Sequence, residues 1–454
     1  MPKSIMNLYK KFANKHTLSL ASNAVMPVMG MVTISILARN LTKADFGSWI
    51  IFLITYTIAN FFRSGFLQTS LVKFYAGASS ERKLNIAGST WFLGLAVAII
   101  LSILSFCVFL INKGNASTEI IIKWLAIIFF SSLPSSIALW ILQAEERFDR
   151  MFILQLVGQG SFFVSVIILV ILNKAQFQMV IYTFCVSAII TSLFTIIAGW
   201  AKITSIVYKS KACIKELANF GKYSVGTSIS SYLLRGSDSY IIKYMFVDPS
   251  FVGVYYLPQR LMEIIEIPLR SFIATALPAM ATAMHQNDKR HMTYIMKKYA
   301  GILTILLIPV SITAFIGADL IIEIIGGRTF IHSDATTVFR IFMCFAILLP
   351  VDRFFGVTLD ILNKPHLNMI KVMLMLIVNV VGDFAGIYYT HSIVGVALAS
   401  ILSFLVGVVY GYIVLKKYLN FTMTDILKLG FVETKLLLLD LPNRFKQKAK
   451  KEDL

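Results

Sequence analysis

Twelve apolar runs, each near the roughly 20 residues that a spanning α-helix needs, organise this chain. The first six cover Thr17 to Ala38, Ser48 to Val72, Ile86 to Ile111, Ile120 to Leu142, Met151 to Leu172 and Phe177 to Trp200. The second six cover Ser224 to Phe246, Phe251 to Ala281, Gly301 to Ile325, Thr336 to Leu362, Leu367 to Tyr389 and Ile393 to Leu415. The pattern predicts an all-α polytopic membrane protein of about twelve helices in two sets of six. The longest internal polar stretch, Ala201 to Tyr223, reads as a basic linker between the sets. Beyond the last run, Phe421 to Leu441 mixes apolar residues with Asp425, Lys428, Glu433 and Lys435 and then turns strongly basic. That composition suits an amphipathic helix lying on the inner leaflet, with a thirteenth span as the alternative. The run after Lys15 contains Pro27 and is long enough to span, so it reads as the first helix and not as a signal peptide.

Composition closes off a water-soluble fold. The chain is 57% hydrophobic and 14% charged, with a mean hydropathy of +0.77, where soluble domains carry about a quarter charged residues. The net charge of +19 does not indicate nucleic acid, because the basic residues sit between apolar runs and act as topology signals. With the N-terminus inside, the cytoplasmic loops hold Lys73, Arg82, Lys83, Arg147, Arg150, Lys202, Lys209, Lys211, Lys215, Lys222, Lys289, Arg290, Lys297, Lys298 and Lys364. The opposite loops hold only Arg39, Lys43, Lys113, Lys174 and Arg328. Both termini are therefore expected in the cytoplasm. The expected organisation is a terminal segment at 1–16, helices 1–6 at 17–200, a linker at 201–223, helices 7–12 at 224–415 and a basic tail at 416–454.

The two halves resemble one another. Asp45-Phe46-Gly47-Ser48-Trp49, leading to Arg63-Ser64, parallels Ser250-Phe251-Val252-Gly253-Val254-Tyr255, leading to Arg270-Ser271. Leu133-Pro134 and Leu349-Pro350 correspond in helices four and ten. A repeat of this kind places a substrate site between the halves.

Charges inside spans mark candidate chemistry, since each costs at least about 2.5 kcal/mol at mid-bilayer. Arg63 and Arg235 lie near the centres of helices two and seven, flanked by small and hydroxyl residues. Arg235 could instead pair with Asp238 one turn on, and Arg63 with another helix. Arg260, Glu263, Glu266 and Arg270 form a stripe on helix eight, which either lines a cavity or neutralises itself in pairs. Pro258, Pro268 and Pro278 interrupt the same helix. Asp352, Asp360 and Asp383 join Asp238, Glu263 and Glu266 as candidates for ion coupling. The four cysteines and six histidines show no metal-ligand spacing, and no phosphate loop, HExxH or GxSxG motif occurs. No cofactor or catalytic residue is implied.

The segments Leu37-Ala38-Arg39-Asn40-Leu41-Thr42-Lys43-Ala44-Asp45-Phe46-Gly47 and Leu142-Gln143-Ala144-Glu145-Glu146-Arg147-Phe148-Asp149, with the proline-interrupted eighth helix ending Ala276-Leu277-Pro278-Ala279, carry a family resemblance. From Thr17 to Leu415 the chain resembles the Wzx-type polysaccharide biosynthesis flippases of the multidrug/oligosaccharidyl-lipid/polysaccharide exporter superfamily. The resemblance implies a MATE-like fold of two six-helix pseudo-symmetric lobes around a cavity. It implies movement of undecaprenyl-pyrophosphate-linked oligosaccharide across the bacterial inner membrane, for O-antigen, capsule or exopolysaccharide. Arg63, Arg235, Arg270 and Arg260 would engage the pyrophosphate, matching the bidentate donor geometry of arginine. Membrane lipids, and the glycosyltransferases and polymerase of the pathway, are the implied partners. An ion-coupled drug or metabolite antiporter of the same superfamily is the alternative.

Overall fold

The computed structural model describes residues 15–111 and 116–452. Most of the expected N-terminal segment, and Lys113, lie outside the described residues. Among those described, the chain is helical and contains no strand. Helices α1 (Lys15–Asn40), α2 (Lys43–Tyr75), α3 (Ser80–Ile111), α4 (Ala116–Ser131), α5 (Leu133–Ala144), α6 (Phe148–Ile171) and α7 (Phe177–Ile197) come first. A 3-10 helix, Ile203–Tyr208, leads to α8 (Lys211–Met245), α9 (Ser250–His285), α10 (Lys289–Ile316), α11 (Ala318–Gly326) and α12 (Arg328–Ile331). Then follow α13 (Ala335–Ala346), α14 (Leu349–Ile361), α15 (Pro365–Thr390), α16 (Val394–Lys416) and α17 (Met423–Glu452).

Eight of the helices are each long and apolar enough to cross a membrane, and ten spans result when two bent pairs are counted, among the described residues. The bent pairs are α4 with α5, at 45°, and α13 with α14, at 48°. Each break falls just before the Leu-Pro pair noted in the sequence. Pro134 and Pro350 sit in the first turn of the second half-helix, where a missing N–H costs nothing while the ring forbids an unbroken helix. The basic stretch 201–223 contains the 3-10 helix and the opening turns of α8. Its Lys, Ala, Glu and Leu residues are good helix formers.

The chain divides into two compact units. Unit 1 comprises residues up to Gly236 together with Val247–Gly253, and unit 2 comprises Ser237–Phe246 and Val254 onward. Within unit 1, Gly47 and Gly253 lie against each other. A Cβ on Gly47 would meet the Pro249 carbonyl oxygen at 1.8 Å, and one on Gly253 would meet the Gly47 nitrogen at 3.1 Å.

Packing in unit 2 shows how a helix manages two apolar environments. On α16, Leu398, Leu402, Leu405, Val409 and Ile413 are exposed, forming a lipid-facing stripe. A neighbouring face buries Gly395, Ala399, Ser403, Gly407 and Gly411, about one small residue per turn. Lipid is as apolar as leucine, so helices associate through close van der Waals contact that small residues permit. Accordingly α15 comes within backbone contact of α16: a Cβ on Gly386 would meet the Gly395 carbonyl oxygen at 2.4 Å. Ser403 Oγ also donates to the Met375 carbonyl at 2.8 Å. Gly386→Val is therefore expected to force the helices apart, costing roughly 1–3 kcal/mol or more. Thermal unfolding of the purified protein checks this, and an unchanged midpoint would refute the tight crossing.

Helix α17 begins with a capping box. The Thr422 side chain accepts from the Asp425 N–H at 3.2 Å, and the Asp425 carboxylate accepts from the Thr422 N–H at 2.9 Å. It runs antiparallel to the start of α10, with Gly430 against Gly301 at backbone distance and Glu433 paired with Lys298 at 2.7 Å.

Candidate substrate and ion sites

Four side chains in unit 2 converge on a buried acid cluster. The last turns of α8 supply Asp238, the start of α9 supplies Tyr255, and α15 supplies Asn379 and Asp383. The Asn379 amide donates to Asp238 Oδ1 at 2.6 Å and to Asp383 Oδ2 at 3.2 Å. The Tyr255 hydroxyl donates to Asp238 Oδ2 at 2.6 Å. All four residues are buried, Tyr255 and Asp383 completely. Asp383 Oδ1 has no hydrogen-bond partner.

Two carboxylates thus share one site whose hydrogen-bonding neighbours are all neutral. Two anions cannot persist there without compensation, so the site calls for a proton or a small cation. The orphaned oxygen and the hard oxygen donors fit either. The small-residue crossing of α15 and α16 buries the α15 pair, and the i,i+4 spacing of Asn379 and Asp383 puts both on one face.

The stripe on α9 resolves into ion pairs. Arg260 Nη1 bonds Glu263 Oε2, and Arg270 Nη2 bonds Glu266 Oε2 at 2.8 Å. Arg353, from α14, adds a second cation to Glu266 at 3.5 Å. Three arginines therefore share two glutamates here. The side chains of Arg260, Arg270 and Arg353 are 23%, 60% and 35% exposed, so Arg270 is the most accessible.

Arg63 lies in unit 1, fully buried. Its guanidinium donates to the Phe129 carbonyl at 3.0 Å, to Ser132 Oγ at 3.2 Å, to Asn60 Oδ1 at 2.8 Å and to Ser136 Oγ at 2.8 Å. Its Nε is unpartnered. These acceptors straddle the α4–α5 break, so Arg63 ties the bent span to α2. Arg235 lies on α8, and its side chain lies outside the described residues. Asp352 forms a buried ion pair with Lys371 Nζ at 2.7 Å, and the same amine donates to the Asp352 carbonyl at 2.8 Å. Asp360 is exposed at the end of α14 and accepts from the Asn368 amide at 3.1 Å.

The structure therefore joins Asp238 with Asp383, sets Arg260, Glu263, Glu266 and Arg270 along one helix, and places Asp352 and Asp360 elsewhere. Sequence reasoning passed over Asn379, Tyr255 and Lys371. Signals for two of them exist: an Asn four residues before an Asp, and a lysine, both inside the run Leu367 to Tyr389.

Glu145, from the segment after helix four, accepts from Tyr75 at 2.8 Å and from Lys202 at 2.7 Å. Burial works against both charges. The bonds and charge of Lys202, with Tyr75, nevertheless hold the Glu145 carboxyl below its usual range, while Glu145 and Tyr75 hold the Lys202 amine above its own.

Fold and sites together define an all-helical polytopic membrane protein with a MATE-like fold. The chain belongs to the polysaccharide biosynthesis protein family, whose profile matches residues 36–335. A relative in Haloferax volcanii, named probable low-salt glycan biosynthesis flippase Agl15, is 30% identical over 220 residues, covering 47% of this chain and 45% of the relative. The match thus spans less than half of either protein. Among solved structures, an inward-facing multidrug resistance MATE transporter of the MOP superfamily superimposes with a TM-score of 0.72 at 13% identity, over 88% of this chain and 98% of that one. The lipid II flippase MurJ, in an inward closed conformation, gives 0.71 at 14% identity, over 94% and 92%. At these identities the likeness establishes the fold.

Proposed function

We propose that this protein moves a polyprenyl-pyrophosphate-linked oligosaccharide from the cytoplasmic to the outer leaflet of the bacterial inner membrane, by alternating access coupled to a cation or proton. Family membership and the glycan-flippase relative support the substrate class. The observation that carries the mechanism is the buried Asp238–Asn379–Asp383 cluster with its unpartnered carboxylate oxygen. A site that must be neutralised to stay buried, inside a mobile-carrier fold, ties its protonation or cation occupancy to conformation.

The pyrophosphate falls to Arg270 and Arg260, with Arg353 beside them. Each now shares a glutamate that a doubly charged ligand can displace, and arginine offers phosphate parallel N–H donors. Arg235 remains in the set on its mid-helix position. Arg63, whose two terminal guanidinium nitrogens are bonded within unit 1, has a structural part in this reading. Glycosyltransferases and a polymerase of the same pathway are the partners it implies.

Complementation of a flippase-deleted strain carrying the matching glycan pathway tests this. Wild type is expected to restore surface polysaccharide. Arg270→Ala and Arg260→Ala, at normal membrane levels, are each expected to lose about ten- to hundredfold in transport, the range for a charged hydrogen bond of roughly 1.5–3 kcal/mol. Arg63→Ala is expected to fail through reduced membrane level. If wild type restored no glycan and instead conferred resistance to cationic drugs, the antiporter reading would replace this one.

A further inference from the structure

Helices α10 and α17 flank an open cleft of about 410 Å³, lined by Tyr294, Lys297, Asp425, Lys428, Leu429 and Val432. It belongs to neither site above. From the cleft and its surroundings we infer that it is a binding site for the phosphate of an anionic phospholipid, at the membrane face that carries the basic loops. Lys297 and Lys428 are the phosphate ligands, and Leu429 and Val432 contact the glycerol and upper acyl chain.

Depth is the first argument. Lys297 lies four residues before Gly301, where the apolar run of the span begins, which at 1.5 Å rise per residue puts its backbone about 6 Å outside the hydrocarbon. This is headgroup level. Charge is the second. Asp425 shares the cleft, but its carboxylate accepts from the Thr422 N–H and faces two lysines. Glu433 is committed to Lys298 and to Tyr294. The cleft therefore keeps net positive charge, reinforced by Lys435, two turns beyond Lys428 and exposed.

Apolar surface is the third. Leu427, Phe431, Val432, Leu436 and Leu439 on α17 are all exposed, on a helix too polar to count as a span. A soluble anion has no use for that surface, whereas a lipid presents phosphate and acyl chain together.

Equilibrium binding of a fluorescent phosphatidylglycerol to the full-length chain in neutral detergent is the test. Unlabelled phosphatidylglycerol is expected to compete and phosphatidylcholine to compete poorly. Lys297→Gln and Lys428→Gln are each expected to weaken binding about fivefold, and the double variant about 25-fold, as one amine near a lipid surface contributes about a factor of five. Lys174→Gln, on the other basic-poor side, is expected to bind as wild type. The Lys297→Arg/Lys428→Arg double variant is expected to retain binding, which separates ligand loss from misfolding. Undiminished binding by the double Gln variant would overturn the site. Inorganic phosphate competing as well as phosphatidylglycerol would overturn the lipid assignment.

Discussion

Asp383→Asn and Asp238→Asn are expected to abolish cation or proton dependence of transport while leaving the folded protein as stable as wild type, or more so. The asparagine keeps the shape of the carboxylate and removes its charge. In the native cluster the Asn379 amide bridges both acids and Asp383 Oδ1 bonds nothing, so burial of two acids is a standing cost that neutralisation relieves. Loss of one charged oxygen pair removes roughly 1.5–3 kcal/mol of ion binding, or about ten- to hundredfold in affinity. The measurement is thermal unfolding of purified protein against sodium concentration and pH, alongside complementation. Wild type is expected to gain stability with the coupling ion and both variants are not. Variants that kept the wild-type ion response would remove the cluster from the mechanism. Stability and function moving in opposite directions would mark the cluster as functional and not merely structural.

Lys371→Met is expected to destabilise the protein by about 3–5 kcal/mol, because it strands Asp352 as a buried, unpaired charge. The pair is nearly closed to solvent, with side-chain exposures of 3% and 5%. The same amine also holds the Asp352 carbonyl, next to the α13–α14 break. The double variant Asp352→Leu/Lys371→Met removes both charges together and is expected to recover most of the loss, since well-packed apolar replacements of buried pairs are often neutral or better. Thermal midpoints of the single and double variants, with membrane levels, decide it. A single variant as stable as wild type would show that water or another group compensates Asp352. If the prediction holds, ion coupling has no free carboxylate at Asp352 and rests on Asp238 and Asp383.

The two predictions concern acids that looked alike in the sequence. Asp352 and Asp383 both lie in apolar runs of the second half, and neither run reveals which neighbour each will meet. Arg63 and Arg270 occupy matching places in the repeat, yet one is fully buried against the bend of its unit and the other is largely exposed beside Glu266. The paired charges on α9 were legible in their spacing, but whether they would neutralise one another was not. Arg353 joins them only because the fold brings the start of α14 within side-chain reach of Glu266.

What the sequence determined by itself is everything that depends on contacts along one helix. Runs of the right length mark ten of the twelve expected spans, counting each bent pair as one, among the described residues, because backbone polar groups must be satisfied within a segment that crosses lipid. Leu133-Pro134 and Leu349-Pro350 fix the two bends, because proline's ring and missing N–H act locally. The polar and apolar mixture after Phe421 fixes a helix more polar than the candidate spans, and the family resemblance follows from local segments. Only the tertiary structure decided which ionisable groups share a site. In a bilayer, lipid and neighbouring helix are equally apolar, so composition carries little information on which face meets which partner. That choice rests on close crossings such as Gly386 with Gly395, and those crossings set whether a buried charge finds a counter-ion, a carbonyl or a second carboxylate.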